Sequence, residues 1–248
     1  MDKYSLYAAQ FLGFKEHFLP KGHHACQGCG VALAVRHVYK ALDRYNVAIE
    51  NANWQIPWSP HLPLDTTSHP NTTTPSLLTI LKKGKDEQIS APLMICFDNE
   101  TSKNGADTTN LLKRIPAIAA AAGYTYAATA CPSHPFDLIE KVRTGWERHG
   151  AAYIHILCPC PVAWGFEPQY AVRIGRMAVE TRIFPLYEIA GGYYRITCED
   201  EYPRPVKEYI KAQKRFAAWS AKKIESFEQD VKAAYDMLIG QCRTSSSQ

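Results

Sequence analysis

Apolar residues at Val31, Val35, Val38 and Leu42 are spaced four, three and four apart, which is the stripe of an amphipathic helix. Two runs read as buried: Pro92–Phe97, continuously apolar and ended by polar turn residues, and Ala152–Leu157, followed by the loop CPCPVAWGF. Such runs are strands buried on both faces of a sheet. Strands are also expected at Asn46–Glu50 and Tyr124–Ala130. Between them lie helical segments at Leu112–Ala122 and after Ser133. The second is capped by Ser133, has Pro135 in its first turn and buries Ile139, Val142 and Trp146 before ending at Gly150. Strand–helix–strand alternation predicts an α/β fold with a parallel sheet and helices on both faces. A short helix end is expected at Leu77–Leu81, a helix at Gln169–Thr181 and a strand pair around Pro185–Ile196. One charged helix should run from Pro205 to about Leu238, with Val206, Tyr209, Ile210 and Phe216 as its apolar stripe and a frayed tail at Arg243–Gln248.

These patterns divide the chain into an N-terminal arm (1–21) rich in Tyr and Phe, an α/β domain (22–204), and a C-terminal helix and tail (205–248). Residues 54–76 carry five prolines and no usable period, so they are expected as a long loop. The 248 residues suffice for a sizeable core. The net charge of +4 is too weak and dispersed to argue for nucleic acid. The longest apolar stretch, Ile115–Ala122, is too short to span a bilayer. The N-terminus lacks the pattern of a signal peptide, so a cytoplasmic location is expected.

Eight cysteines change the picture. In a reducing compartment they point to metal or cluster chemistry rather than disulfides. Gly22–Gly30 reads GHHACQGCG and places Cys26 and Cys29 three apart, just before the first helix. Free backbone N–H groups there favour thiolates or a bound anion. The glycines let backbone approach a cluster closely. A lone Cys-x-x-Cys is compatible with zinc, an iron–sulfur cluster or a redox dithiol. A second group, Cys158-Pro159-Cys160-Pro161, follows a predicted strand, so the two groups together offer four thiolates. The polar segment Asp98–Asn110 follows another strand end, where ligands bind in open α/β sheets. Cys96, Cys131, Cys198 and Cys242 read as ordinary thiols, and His155, inside a strand, as a satisfied core histidine.

GHHACQGCG, CFDNETSKNG, HILCPCPVAWGFEP, IGRMAVETRIFPLYE and PVKEYIKAQKRF occur in that order. Together they resemble the β subunit of pyruvate (2-oxoacid):ferredoxin oxidoreductases over residues 20–50 and 90–218. The resemblance implies a thiamine-diphosphate-binding fold. It implies a complex with α-, γ- and δ-type subunits that decarboxylates a 2-oxoacid, joins the acyl group to coenzyme A and passes electrons through a [4Fe–4S] cluster to ferredoxin. It also implies roles for single residues. Cys26, Cys29 and Cys160 match cluster ligands, with Cys158 as a neighbouring extra. Asn99 matches a ligand of the cofactor's Mg2+, and the backbone near Thr101 would be the next. Asp98 and Glu100 would add negative charge, and Asn104 falls in a cofactor-binding turn. Apart from the resemblance, His23 is a candidate to contact a cofactor or ligate metal, with a solvated or capping role as the alternative.

The chain departs from that family in two places. It has no Gly-Asp-Gly, the family motif whose aspartate is the main Mg2+ ligand; Asp65 in the long loop is the candidate substitute. Asn51-Ala52-Asn53-Trp54 stands where the family has its third cluster cysteine. The fold is therefore expected to be partly truncated, with thiamine diphosphate weakly bound or lost. Three functions stay open: a catalytic subunit, a non-catalytic paralogue that acts by subunit interaction, and a zinc-stabilised interaction module.

Overall fold

The structure is a computed structural model and describes residues 25–42, 49–51, 64–67, 93–100, 115–148 and 150–245. The expected arm (1–21), the helix end at Leu77–Leu81, His23, Thr101 and Asn104 lie outside them.

Seven strands form one sheet among the described residues, in the order β1-β2-β3-β5-β4-β6-β7. They are β1 (Ile49–Asn51), β2 (Leu64–Thr67), β3 (Leu93–Asp98), β4 (Tyr126–Ala130), β5 (Ala152–Leu157), β6 (Leu186–Ala190) and β7 (Tyr193–Cys198). The first five in spatial order are parallel. β6 and β7, the strand pair expected around Pro185–Ile196, continue the sheet antiparallel at that edge. Gly191 and Gly192 form the tight turn between them, both at positive φ. β2 corrects the reading of residues 54–76 as loop throughout. Leu64–Thr66 pair with β1 and Asp65–Thr67 with β3.

Helices cover both faces, as the unalternating strands require. On one face α1 (Gly30–Leu42) and α3 (Pro135–Glu147) pack over Leu93, Ile95, Phe97, Ile154 and Ile156. On the other, α2 (Ile115–Ala121) meets Met94, Cys96, Ala127 and Tyr153. The period-2 alternation of each strand thus feeds two separate cores. Trp146 is only partly buried, and His134 rather than Ser133 occupies the cap position of α3, without a side-chain hydrogen bond. This is an α/β fold of the thiamine-diphosphate-binding type, with β1 and β2 at one end of the strand order.

After β5 come a short helix α4 (Pro161–Trp164), a 3-10 turn (Pro168–Tyr170) and α5 (Ala171–Glu180). The single C-terminal helix expected from Pro205 is instead α6 (Val206–Lys211), a 3-10 turn (Lys214–Phe216) and α7 (Ala221–Ser245). Its predicted stripe is buried as expected: Val206, Tyr209, Ile210 and Phe216 join Trp164, Ile174 and Phe227 in a further core.

Candidate functional site

β3 and β5 are parallel neighbours, with Asp98 in register with Leu157. Their C-terminal ends therefore open on the same edge. The Cys158 N–H donates to the Asp98 carbonyl at 2.6 Å, and the Trp164 indole N–H donates to the Asn99 carbonyl at 2.8 Å. The Asn99 turn and the Cys158–Trp164 turn are thus joined by backbone and side chain.

The first cysteine loop reaches the same edge. The Gly30 N–H donates to the Pro159 carbonyl at 3.0 Å. A Cβ on Gly30 would lie 2.6 Å from the Pro159 nitrogen. Gly28 has φ +68°, and a Cβ there would meet the Pro168 carbonyl oxygen at 2.3 Å. These glycines let one cysteine loop seat its backbone directly on the segment that follows the other. Sequence reasoning assigned them to approach of a cluster; the structure gives them a partner inside the chain.

The four thiols sit in three environments. Cys26 is exposed, Cys29 and Cys160 are half-buried, and Cys158 is fully buried. Cys29 precedes α1, where the N–H groups of Val31 and Ala32 favour its thiolate. Burial outweighs them, and together with Cys160 and Cys26 it pushes the thiol up. The expected effect of the helix N–H groups is present, and desolvation exceeds it. Cys160 caps α4 and accepts the Ala163 N–H at 3.5 Å. Cys158 lies in the core beneath α1 and gives its S–H to the Ile156 carbonyl at 3.4 Å. Burial drives its thiol well above the usual range. No group of three or more His, Cys, Asp or Glu among the described residues is disposed to hold a metal ion as it stands. What the fold supplies is two interlocked loops carrying Cys26, Cys29 and Cys160, with Cys158 behind them.

The carboxylates beside Asn99 are committed elsewhere. Asp98 is buried; its Oδ2 meets His155 Nε2 at 2.9 Å and its Oδ1 accepts the Glu100 N–H at 2.8 Å. Burial alone would lower the His155 pKa, but Cys96 and Asp98 overcome it and push it up to about 10. Glu100 pairs with Arg215 at 2.8 Å, with side-chain exposures of 9% and 16%. Both carboxylates expected to surround a metal therefore face cations of the chain itself, and a metal competes with those cations. β2 places Asp65 in register with Met94, four residues before Asp98, so its backbone lies well short of the strand-end edge.

Trp164 and Arg215 were not singled out in the sequence. Each joins segments far apart in the chain, and no local pattern announces that. The blocks containing them, CPCPVAWGF and KAQKRF, drew notice for their cysteines, for Phe216 and for the resemblance, not for these two residues. His155 is confirmed as a satisfied core histidine, its other ring nitrogen 3.0 Å from the Tyr153 hydroxyl.

No family model matches the chain. It is similar to the pyruvate synthase subunit PorB of Methanothermobacter thermautotrophicus, 33% identical over 263 aligned positions that cover 82% of this chain and 90% of that protein. PorB of Methanocaldococcus jannaschii is 30% identical, covering 90% of this chain and 97% of that protein. The ketoisovalerate oxidoreductase subunit VorB of Pyrococcus furiosus is 27% identical over 91% and 93% of the two chains. The alignment with the M. jannaschii protein spans 291 positions against the 248 residues here, so that protein carries segments this chain lacks.

Proposed function

Because this chain belongs to the β-subunit family of pyruvate (2-oxoacid):ferredoxin oxidoreductases, we propose that it serves in a complex that oxidatively decarboxylates a 2-oxoacid, pyruvate first among candidates. In that reaction the acid loses CO2, the acyl group forms a thioester with coenzyme A, and two electrons pass to ferredoxin. The relatives' names cover both pyruvate and ketoisovalerate, which supports the 2-oxoacid class more strongly than any one substrate. Partners would be the remaining subunits of the complex.

The part assigned to this chain is to hold an iron–sulfur centre at the strand-end edge. The observation that carries it is the Gly30–Pro159 lock, which brings Cys26 and Cys29 to the loop of Cys160. A cluster there would relay electrons one at a time. Cys26, Cys29 and Cys160 would bind it, and Cys158 would do so only by leaving the core. The residues' own work is to fix the two loops and to screen the centre with the Trp164 and Phe166 rings packed beyond Cys160.

A second reading, that the chain is a non-catalytic subunit, draws on the internal pairing of Asp98 and Glu100 together with the missing Gly-Asp-Gly. Under it the chain contributes the cluster or its surface, and a paralogue or another subunit holds thiamine diphosphate.

The test is the visible spectrum and metal content of the anaerobically purified protein. A broad brown absorbance that bleaches with dithionite is expected. A colourless protein with one zinc per chain would replace the proposal with a zinc-stabilised interaction module.

A further inference from the structure

The KAQKRF segment has no role in the reading so far, yet it touches both turns of the candidate site. Arg215 donates from one terminal nitrogen to Glu100 at 2.8 Å and from the other to the Tyr209 hydroxyl at 3.0 Å. Its guanidinium lies over the Trp164 ring, 3.9 Å from the centroid. That indole donates to the Asn99 carbonyl at 2.8 Å, and the Trp164 N–H donates to the Cys160 carbonyl at 2.9 Å.

Glu100 has φ +46°, a backbone conformation that residues with a Cβ rarely adopt. It is held from both ends. Asp98 Oδ1 takes its N–H, and Arg215 takes its carboxylate. The approach of Arg215 is itself built in. The Lys214 N–H donates to the Gly165 carbonyl at 3.2 Å, and Gly165 sits at φ +71° with no room for a Cβ, which would meet Lys214 Cβ at 2.7 Å. Contacts therefore run in a closed ring from Asn99 through Trp164, Arg215 and Glu100 back to the Asn99 turn, with Cys160 attached through Trp164.

We propose that Arg215 is a positioning residue that sets the Asn99 turn and the Cys160 helix as one unit. The importance of that unit rests on the reading of Cys160 and Asn99 given above; the clamp itself does not. A planar guanidinium suits the task because its rigid fork reaches two oxygens while its face stacks on an indole; an ammonium can reach two oxygens but cannot stack.

The test is alkylation of the full chain by iodoacetamide, read cysteine by cysteine by mass spectrometry, in wild type, Arg215→Lys and Arg215→Ala. The cofactor-free chain is used, so no cluster is needed. Cys160 should react about tenfold faster in Arg215→Ala, as expected for a local opening, while the buried Cys131 and Cys158 stay protected. Arg215→Lys should fall between, because it keeps the charge and loses the stacked fork. If Arg215→Ala does not fold, because Glu100 is left unpaired, Glu100→Gln/Arg215→Ala removes that charge and should show the same selective rise at Cys160. An unchanged Cys160 rate overturns the clamp. So does an equal rise at Cys131, Cys158 and Cys160, which reports general loosening. Iron content measured on the same proteins separates the two readings. A clamp that behaves as described in a wild-type chain that never takes up iron counts against the cluster, not against the clamp.

Discussion

Asp98 and His155 meet across neighbouring strands, Nε2 to Oδ2 at 2.9 Å, with 1% and 0% of their side chains exposed. His155 is in register with Cys96, so Asp98 is its diagonal neighbour. The Tyr153 hydroxyl occupies the other ring nitrogen. Enclosed in this way, His155 anchors the residue immediately before Asn99.

That pair gives stability a pH dependence. The folded pKa of His155 is raised from 6.5 to about 10. A raised histidine stabilises fully below its unfolded pKa and loses that contribution as pH climbs through the folded value. Resistance to urea should therefore fall between pH 6.5 and about 10. His155→Gln should be less stable at pH 6.5 and show a flatter profile over the same window. Parallel profiles for the two proteins would mean that His155 is not the titrating group.

Lys141 is a second buried charge, 1% exposed. Its ammonium donates to Asp137 at 2.8 Å, the Thr129 carbonyl at 2.8 Å and the Thr197 hydroxyl at 2.7 Å. All three protons are used, and they tie α3 to β4 and the antiparallel edge strand β7. Lys141→Met leaves Asp137 alone in the core and should cost about 3–5 kcal/mol. Lys141→Met/Asp137→Leu should recover most of it. Urea melts of the three proteins decide the matter, and a single variant within about 1 kcal/mol of wild type would contradict it.

The strands and first helix were legible because burial on both faces writes continuous apolar runs, and burial on one face writes a stripe. β3, β5 and α1 are such cases. β2 was not, since LDTT is polar and lies among prolines, and its pairing comes from neighbours distant in the chain. The break after Lys211 was hidden for a related reason. Residues 206–238 contain no Gly or Pro. The turn is made by Lys214–Phe216 folding onto Gly165, a tertiary contact. One local signal was available: Ser220, whose hydroxyl accepts the Lys223 N–H at the start of α7. Lys141 was not singled out in the sequence, although Asp137 four residues earlier marked a partner. The cysteines announced themselves by spacing, but their burial did not, and burial is what separates Cys158 from Cys160.

Cys26 and Cys158 should respond differently to serine. Cys26 is exposed, so Cys26→Ser should abolish iron uptake and change the stability of the metal-free chain by no more than about 0.5 kcal/mol. Cys158 is in the core, so Cys158→Ser should destabilise the metal-free chain by about 1–2 kcal/mol. If it also lowers iron per chain, Cys158 is the fourth ligand. Iron retained in Cys26→Ser would refute the assignment of the first loop.

Thiamine diphosphate itself should bind this chain weakly or not at all. The family anchors the diphosphate through a Mg2+ held by an aspartate, an asparagine and a carbonyl. The aspartate's motif is missing here. Asp98 and Glu100 are paired with His155 and Arg215, so neither offers free charge. Asp65 starts four residues back from the level of Asp98, roughly 13 Å along a strand. Only the Asn99 turn remains, and one carboxylate–metal contact in a buried site is worth several kcal/mol. A loss of about 4 kcal/mol weakens binding roughly a thousandfold. Isothermal titration of the chain with thiamine diphosphate and Mg2+ should show no binding tighter than about millimolar. A micromolar constant would mean that another carboxylate has replaced the aspartate. Asp65→Asn then tests the first suspect: a constant that survives the change sends the search elsewhere, and one that collapses shows that Asp65 reaches the metal.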